Sequence, residues 1–123
     1  MSSSKGDIHR EPGVQKEVEE FVAIRAWGQF HDVKNLSLAI ASEVGELCAV
    51  VRWTPAEALT VLERDQEMLA KLSAEIGDIA ILLLSMCNRL GLDFETVVRA
   101  KLSKNEQSYP AEQSRGRPER PSA

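Results

Sequence analysis

Two acidic pairs carry the chemistry this sequence offers: Glu43 with Glu46, and Glu75 with Asp78. Each pair is spaced i, i+3, which puts its members on one helix face. Like charges so placed repel, so neither pair helps its helix form. Both lie in rows that run into apolar or aromatic residues: Ala39, Glu43, Glu46, Val50 and Trp53 in one, Glu75, Asp78, Leu82, Ser85 and Arg89 in the other. These rows predict that both pairs point inward. An ionised carboxylate facing a core needs a partner, and the chain has no matching cluster of inward-pointing lysines or arginines. A divalent cation held by all four acids is the expected answer. Hard oxygen ligands suit Mg2+ or Mn2+ rather than zinc or copper. Mg2+ shares its coordination with substrate phosphates, which outlines a phosphate-transfer or phosphate-hydrolysis site. A di-iron bundle would carry Glu-x-x-His pairs, and neither His9 nor His31 has that spacing.

Other residues could complete such a site. Lys101 and Asn105 lie one helical turn apart, with Tyr109 a further turn along. A lysine there can hold a phosphate as a point charge, and an asparagine can hydrogen-bond a phosphate or sugar oxygen. Arg89 shares the row of Glu75 and Asp78. Trp27, His31 and Trp53 offer rings against which a base or sugar could pack.

Helices must position these groups. A first helix is expected from about Val14 to Gln29, with Val18, Phe21, Val22 and Arg25 on one side. Phe30 to Lys34 reads as a loop, with Asn35 as a candidate N-cap. A second helix runs from about Leu36 to Arg52, its apolar row being Leu36, Ile40, Val44, Leu47 and Val51. Thr54 as N-cap followed by Pro55 starts a short helix to about Glu63. After a charged stretch comes a long helix to about Leu90. Its expected packing seam is Leu69, Leu72, Ile76, Ile79, Leu83, Met86 and Leu90, and Ile79 to Met86 should be buried on several sides. Gly91 ends it, Asp93 caps a last helix from Phe94 to Ser108, and Tyr109-Pro110 stops that one. No β pattern appears. The expected fold is all-α: four main helices in a bundle, plus one short helix. Residues 1–13 and 111–123 are expected to be flexible and 14–110 to form one domain. Helices this apolar in so short a chain also predict a homo-oligomer packed through helix faces.

Composition excludes other classes. A formal net charge of −4 argues against a general nucleic-acid binder. The longest apolar run, Ile79 to Cys87, falls well short of the ~20 residues of a membrane span. The N-terminal segment has no apolar stretch of the secretory type, so the expected compartment is the cytoplasm. Cys48 and Cys87 read as reduced cysteines in the core.

The sequence Glu43-x-x-Glu46 followed by Glu75-x-x-Asp78 resembles the signature of the MazG-like all-α nucleoside triphosphate pyrophosphohydrolases. Trp27-Gly-Gln-Phe-His31 with Lys34-Asn35-Leu36, then Ser42-Glu-Val-Gly-Glu-Leu47, Trp53, and Lys101…Asn105…Tyr109-Pro110 resemble the dCTP pyrophosphatase branch of that family, over about Val14 to Ser114. The resemblance implies Mg2+-dependent conversion of a nucleoside triphosphate, dCTP or a modified relative first, to the monophosphate and pyrophosphate. It implies that the four acids bind metal and serve catalysis, and that Lys101 and Asn105 contact phosphates or sugar. Trp27, His31 and Trp53 would line the base pocket. A dimer, or a tetramer of dimers, is implied, with a pocket shared between subunits. Three positions depart from the family pattern. Ser108 stands where Arg or Lys is common, leaving a positive charge to come from Arg89 or Lys104. Leu82 replaces a tyrosine, and Val18 a histidine, which makes the base pocket more apolar. The competing readings are a nucleotide-binding module without turnover and a non-enzymatic helical oligomer.

Overall fold

The computed structural model describes residues 13–121, and among these there are helices and turns but no strand. Six helices are described: α1 (Val14–Ile24), α2 (Val33–Val51), a one-turn α3 (Leu59–Leu62), α4 (Gln66–Leu90), α5 (Phe94–Ser108) and a one-turn α6 (Ala111–Ser114). The all-α expectation is met, with four long helices and short extras. The chain divides into two compact units at the Leu90–Gly91 step. In the first, α2 and α4 make the largest interface and α1 packs on α4. The second holds α5 and α6. Segment 1–12 lies outside the described residues, so its expected flexibility is not addressed.

Local chemistry explains where the helices stop. α1 ends five residues before the expected Gln29, because Ala26 adopts a left-handed conformation (φ 54°) that an L-residue with a Cβ normally avoids. Arg25 supports this ending. Its Nη1 donates to the Phe21 carbonyl at 3.1 Å, and its guanidinium lies 3.6 Å from the Phe21 ring centroid. The Trp27 ring meets Phe21 edge-on at 5.6 Å, and Trp27–Phe30 forms a 3-10 turn. The next cap is Asp32, not Asn35. The Asp32 carboxylate accepts from the Asn35 backbone N–H at 2.7 Å and from the Asn35 amide at 3.0 Å, so α2 starts at Val33. Thr54 does not cap a helix either. Pro55 is extended, and a 3-10 turn at Ala56–Ala58 precedes α3. Asp65 receives the Glu67 and Met68 amides at the start of α4. Gly91, at φ 68°, supplies the left-handed residue that follows a helix C-terminus. Asp93 caps α5 through the Thr96 amide and hydroxyl, and α5 has the expected bounds.

The core of the single chain is small. Val18, Leu36, Leu84 and Cys87 are its buried apolar residues, with Ser85 beside them. The expected α4 seam is therefore not what this chain covers: Ile76 is 59% exposed, and Leu69, Leu83 and Leu90 are also open. Ile81 is exposed as well, so the Ile79–Met86 stretch is not enclosed on every side. α4 instead turns Leu84, Ser85 and Cys87 inward. Of the two cysteines, Cys87 is buried but Cys48 is exposed; both are free thiols.

Candidate active site

The α2–α4 interface brings the two acidic pairs together. Each of Glu43, Glu75 and Asp78 presents an oxygen, and these oxygens lie within 4.8 Å of one another. Glu46 stands outside this triplet, although its charge is felt at Glu75. The inward placement holds for one member of each pair: Glu43 and Glu75 are half-buried, whereas Glu46 and Asp78 are exposed. Helix geometry accounts for this. Positions three apart differ by about 60° around the axis, so one side chain enters the seam while its neighbour lines the edge.

The cluster is electrostatically unsatisfied. Glu75 Oε2 is buried without a hydrogen-bond partner. The described ion pairs are Lys16–Glu19, Lys71–Glu67 and Arg99–Glu95, none of which involves these four acids. Burial is the main influence holding the Glu75 carboxyl above the usual carboxylate range. A hydrogen bond shared with Glu43 adds to it, as do the charges of Glu43, Asp78 and Glu46. A cation among the oxygens would offset this crowding of like charge. Convergent carboxylates, one with an orphaned oxygen, fit a hard divalent ion. Gly45 and Gly77 sit inside the two motifs, and a Cβ on either would meet nothing within 4 Å. Neither is required by local packing in the chain.

Further along the same row of α4 lies a second feature. A cavity of about 230 Å3 opens between α1, the turn after it and the end of α4; Val22, Gly28, His31, Ser85, Asn88 and Arg89 are among its lining residues. Ser85 is 4% exposed, and its Oγ has no hydrogen-bond partner. Asn88 is held in place by two bonds to Gln15, accepting from the Gln15 amide at 2.9 Å and donating to the Gln15 carbonyl at 3.2 Å. The sequence placed Ser85 on the row of Glu75 and Asp78 without marking it as buried and unpartnered. The available signal was a single polar residue within the apolar run of α4.

The remaining candidates are distributed as follows. His31 and Arg89 line the cavity, and Trp27 is 44% exposed beside it in sequence. Arg89 is 11 residues from Asp78, about 16 Å along the helix, so it serves the cavity rather than the acids. Trp53, 84% exposed, follows α2, whereas His31 precedes it. A helix of 19 residues separates them by roughly 28 Å, so one chain does not bring Trp53 to the cavity. In the second unit, Lys101 is exposed and Asn105 half-buried, and the Tyr109 amide donates to the Asn105 carbonyl at 2.7 Å. Beside Ser108 stands a cation the sequence reading did not nominate. Arg120 donates to Ser108 Oγ at 3.3 Å and lies 5.7 Å from the Tyr109 ring centroid.

Acidic pairs on two packed helices in an all-α chain define a class, and comparison with known proteins agrees with it. The MazG-like family model matches residues 38–120, and the chain belongs to that family. It is 38% identical over 97 residues to dCTP pyrophosphatase 1 of Bos taurus and 39% identical over 98 residues to that of Rattus norvegicus. Each alignment covers 79% of this chain, which thus spans 57% of the length of these curated relatives. Among solved structures, a pyrophosphatase from Archaeoglobus fulgidus superposes with a TM-score of 0.69 at 33% identity, over 83% of this chain and 97% of that one. No helix of the described residues is long and apolar enough to cross a membrane.

Proposed function

We propose that this chain hydrolyses nucleoside triphosphates between the α and β phosphates, releasing the monophosphate and pyrophosphate, with dCTP or a modified deoxynucleotide as substrate. The observation that carries this reading is the meeting of Glu43, Glu75 and Asp78 oxygens within 4.8 Å, with no cationic side chain among the described residues paired to them. Family membership and the relatives' names support it. Glu43, Glu75 and Asp78, with Glu46 at their edge, would hold Mg2+ or Mn2+. Such an ion supplies charge neutralisation on the phosphate oxygens and on the departing pyrophosphate.

The chain's own groups have distinct tasks in this reading. Glu75, half-buried with an unpartnered oxygen, would turn that oxygen to the ion. Glu46, exposed and outside the triplet, is free to accept a proton from the attacking water. Lys101 and Asn105 contact phosphate or sugar oxygens, with Tyr109 on the same row, and Arg120 adds positive charge beside Ser108. Trp27 and His31 border the base. The exposed apolar residues of α4 support a homo-oligomer, in which Trp53 would serve a site on another copy. A cytoplasmic nucleotide-pool role suits such a reaction.

The deciding experiment incubates the protein with Mg2+ and each canonical and modified dNTP and measures pyrophosphate, with and without chelator. Release that stops in chelator is expected. Nucleotide binding without pyrophosphate would identify a module that binds but does not turn over.

A further inference from the structure

We infer that the segment after α5 forms an anion site of its own, walled by Arg115, Arg117 and Arg120, for a small ligand bearing two or more phosphate groups. The inference uses no group of the acidic cluster and does not depend on the hydrolase reading. Local chemistry builds the site within the second unit. After α6 the chain turns at Gly116, whose φ of 75° is one that a residue with a Cβ avoids. The Arg117 amide closes that turn on the Ser114 carbonyl at 2.9 Å. Arg115 and Arg117, on either side of the glycine, line one cavity. Pro118 and Pro121 restrict the backbone beyond it. Arg120 fixes the returning end. Its Nη2 donates to Ser108 Oγ at 3.3 Å, and its guanidinium lies 5.7 Å from the Tyr109 ring centroid. The concavity is thus formed before a ligand arrives, which lowers the ordering cost of binding.

Size and charge indicate the ligand. The cavity holds about 540 Å3, within the ~300–1,000 Å3 of small-molecule sites. Glu112 and Glu119 also line it. Neither is ion-paired with an arginine, since the ion pairs among the described residues lie elsewhere. Three arginines against two glutamates leave the wall with a net positive charge. A planar guanidinium fork matches phosphate oxygens in pairs. A carboxylate fills one such fork, whereas a diphosphate carries enough terminal oxygens to meet several. The glutamates oppose any anion, so they set a limit on affinity that a weakly charged ligand does not overcome.

Calorimetric titration of the whole chain with pyrophosphate, in chelator and at low salt, tests the assignment. Without a cation the acids of α2 and α4 repel such an anion, so binding reports the arginine site. One saturable site is expected, its affinity falling as salt is added. Arg115→Ala and Arg117→Ala should each weaken it about tenfold. Arg99→Ala removes the same charge from the exposed side of α5, where Arg99 pairs with Glu95, and should leave binding unchanged. Glu119→Gln should tighten binding, because a like charge leaves the wall. Succinate should not displace pyrophosphate. Circular dichroism checks that every variant folds. No binding by the wild type in chelator overturns the inference. Equal weakening by Arg99→Ala overturns it too, by reducing the effect to net charge, and displacement by succinate removes the preference for phosphate. All these outcomes leave the hydrolase reading intact, since that reading is tested with metal present.

Discussion

α4 presents two different environments along one row of side chains. At Glu75 and Asp78 the row meets like charge from α2, and burial together with that charge holds the Glu75 carboxyl above the usual carboxylate range. Two to three turns later, at Ser85 and Arg89, it meets α1 and the turn after it, where Val22, Ala23 and Gly28 lie beside Glu19 and His31, and space is left open. The helix backbone is continuous through both. What differs is the partner across the seam: acids at Glu43 and Glu46 in one place, Val22, Ala23 and Gly28 in the other. One helix can thus serve charge and shape separately, and a substitution at one end should leave the other end's property intact.

That separation can be broken in graded ways. Removing the cation should have the largest effect: activity should vanish in chelator and return with Mg2+ or Mn2+, measured as pyrophosphate release. Asp78→Asn should lower turnover by at least a hundredfold while the helical circular dichroism stays native. Glu43→Gln and Glu46→Gln sharpen the contrast within the cluster. Glu43→Gln should weaken metal affinity more, because Glu43 belongs to the convergent triplet, whereas Glu46→Gln should lower kcat with less change in affinity. Equal affinity losses would place both in one role.

Stability separates the regions as well. Leu36, 1% exposed, should cost roughly 2–5 kcal/mol on Leu36→Ala, and Asp32→Ala about 1 kcal/mol through the lost cap; chemical denaturation measures both. The smallest effect concerns pH. The folded-state pKa of Glu75 is raised, so the folded protein holds a proton that the unfolded chain releases. Without metal, stability should be highest below the ordinary glutamate range and fall as pH rises through the raised value. Glu75→Gln should flatten that slope in melting curves recorded across mildly acidic pH.

Much of this architecture was legible from local chemistry. α5 begins and ends where expected because Asp93 and Tyr109-Pro110 act within a few residues. The meeting of the acids was legible because spacing fixes a helix face. Which acid of each pair enters the seam was not legible, since that depends on the rotation of α2 against α4. The end of α1 was hidden too: Ala26 takes its left-handed conformation in a turn where Arg25 and Trp27 pack on Phe21. Asp32 and Asn35 are both good caps, and the carboxylate takes the role because the Asn35 amide becomes its donor. The α4 seam was misjudged because a periodic apolar row marks one face of a helix without fixing which of its residues the neighbouring helices of the chain cover.

Trp53 gives this molecule its own optical gauge. An indole 84% open to water emits at long wavelength and is readily quenched by iodide, whereas Trp27, edge-on to Phe21, is partly shielded. Diluting the protein while following the emission maximum would therefore report, without any dye, whether another copy covers that ring.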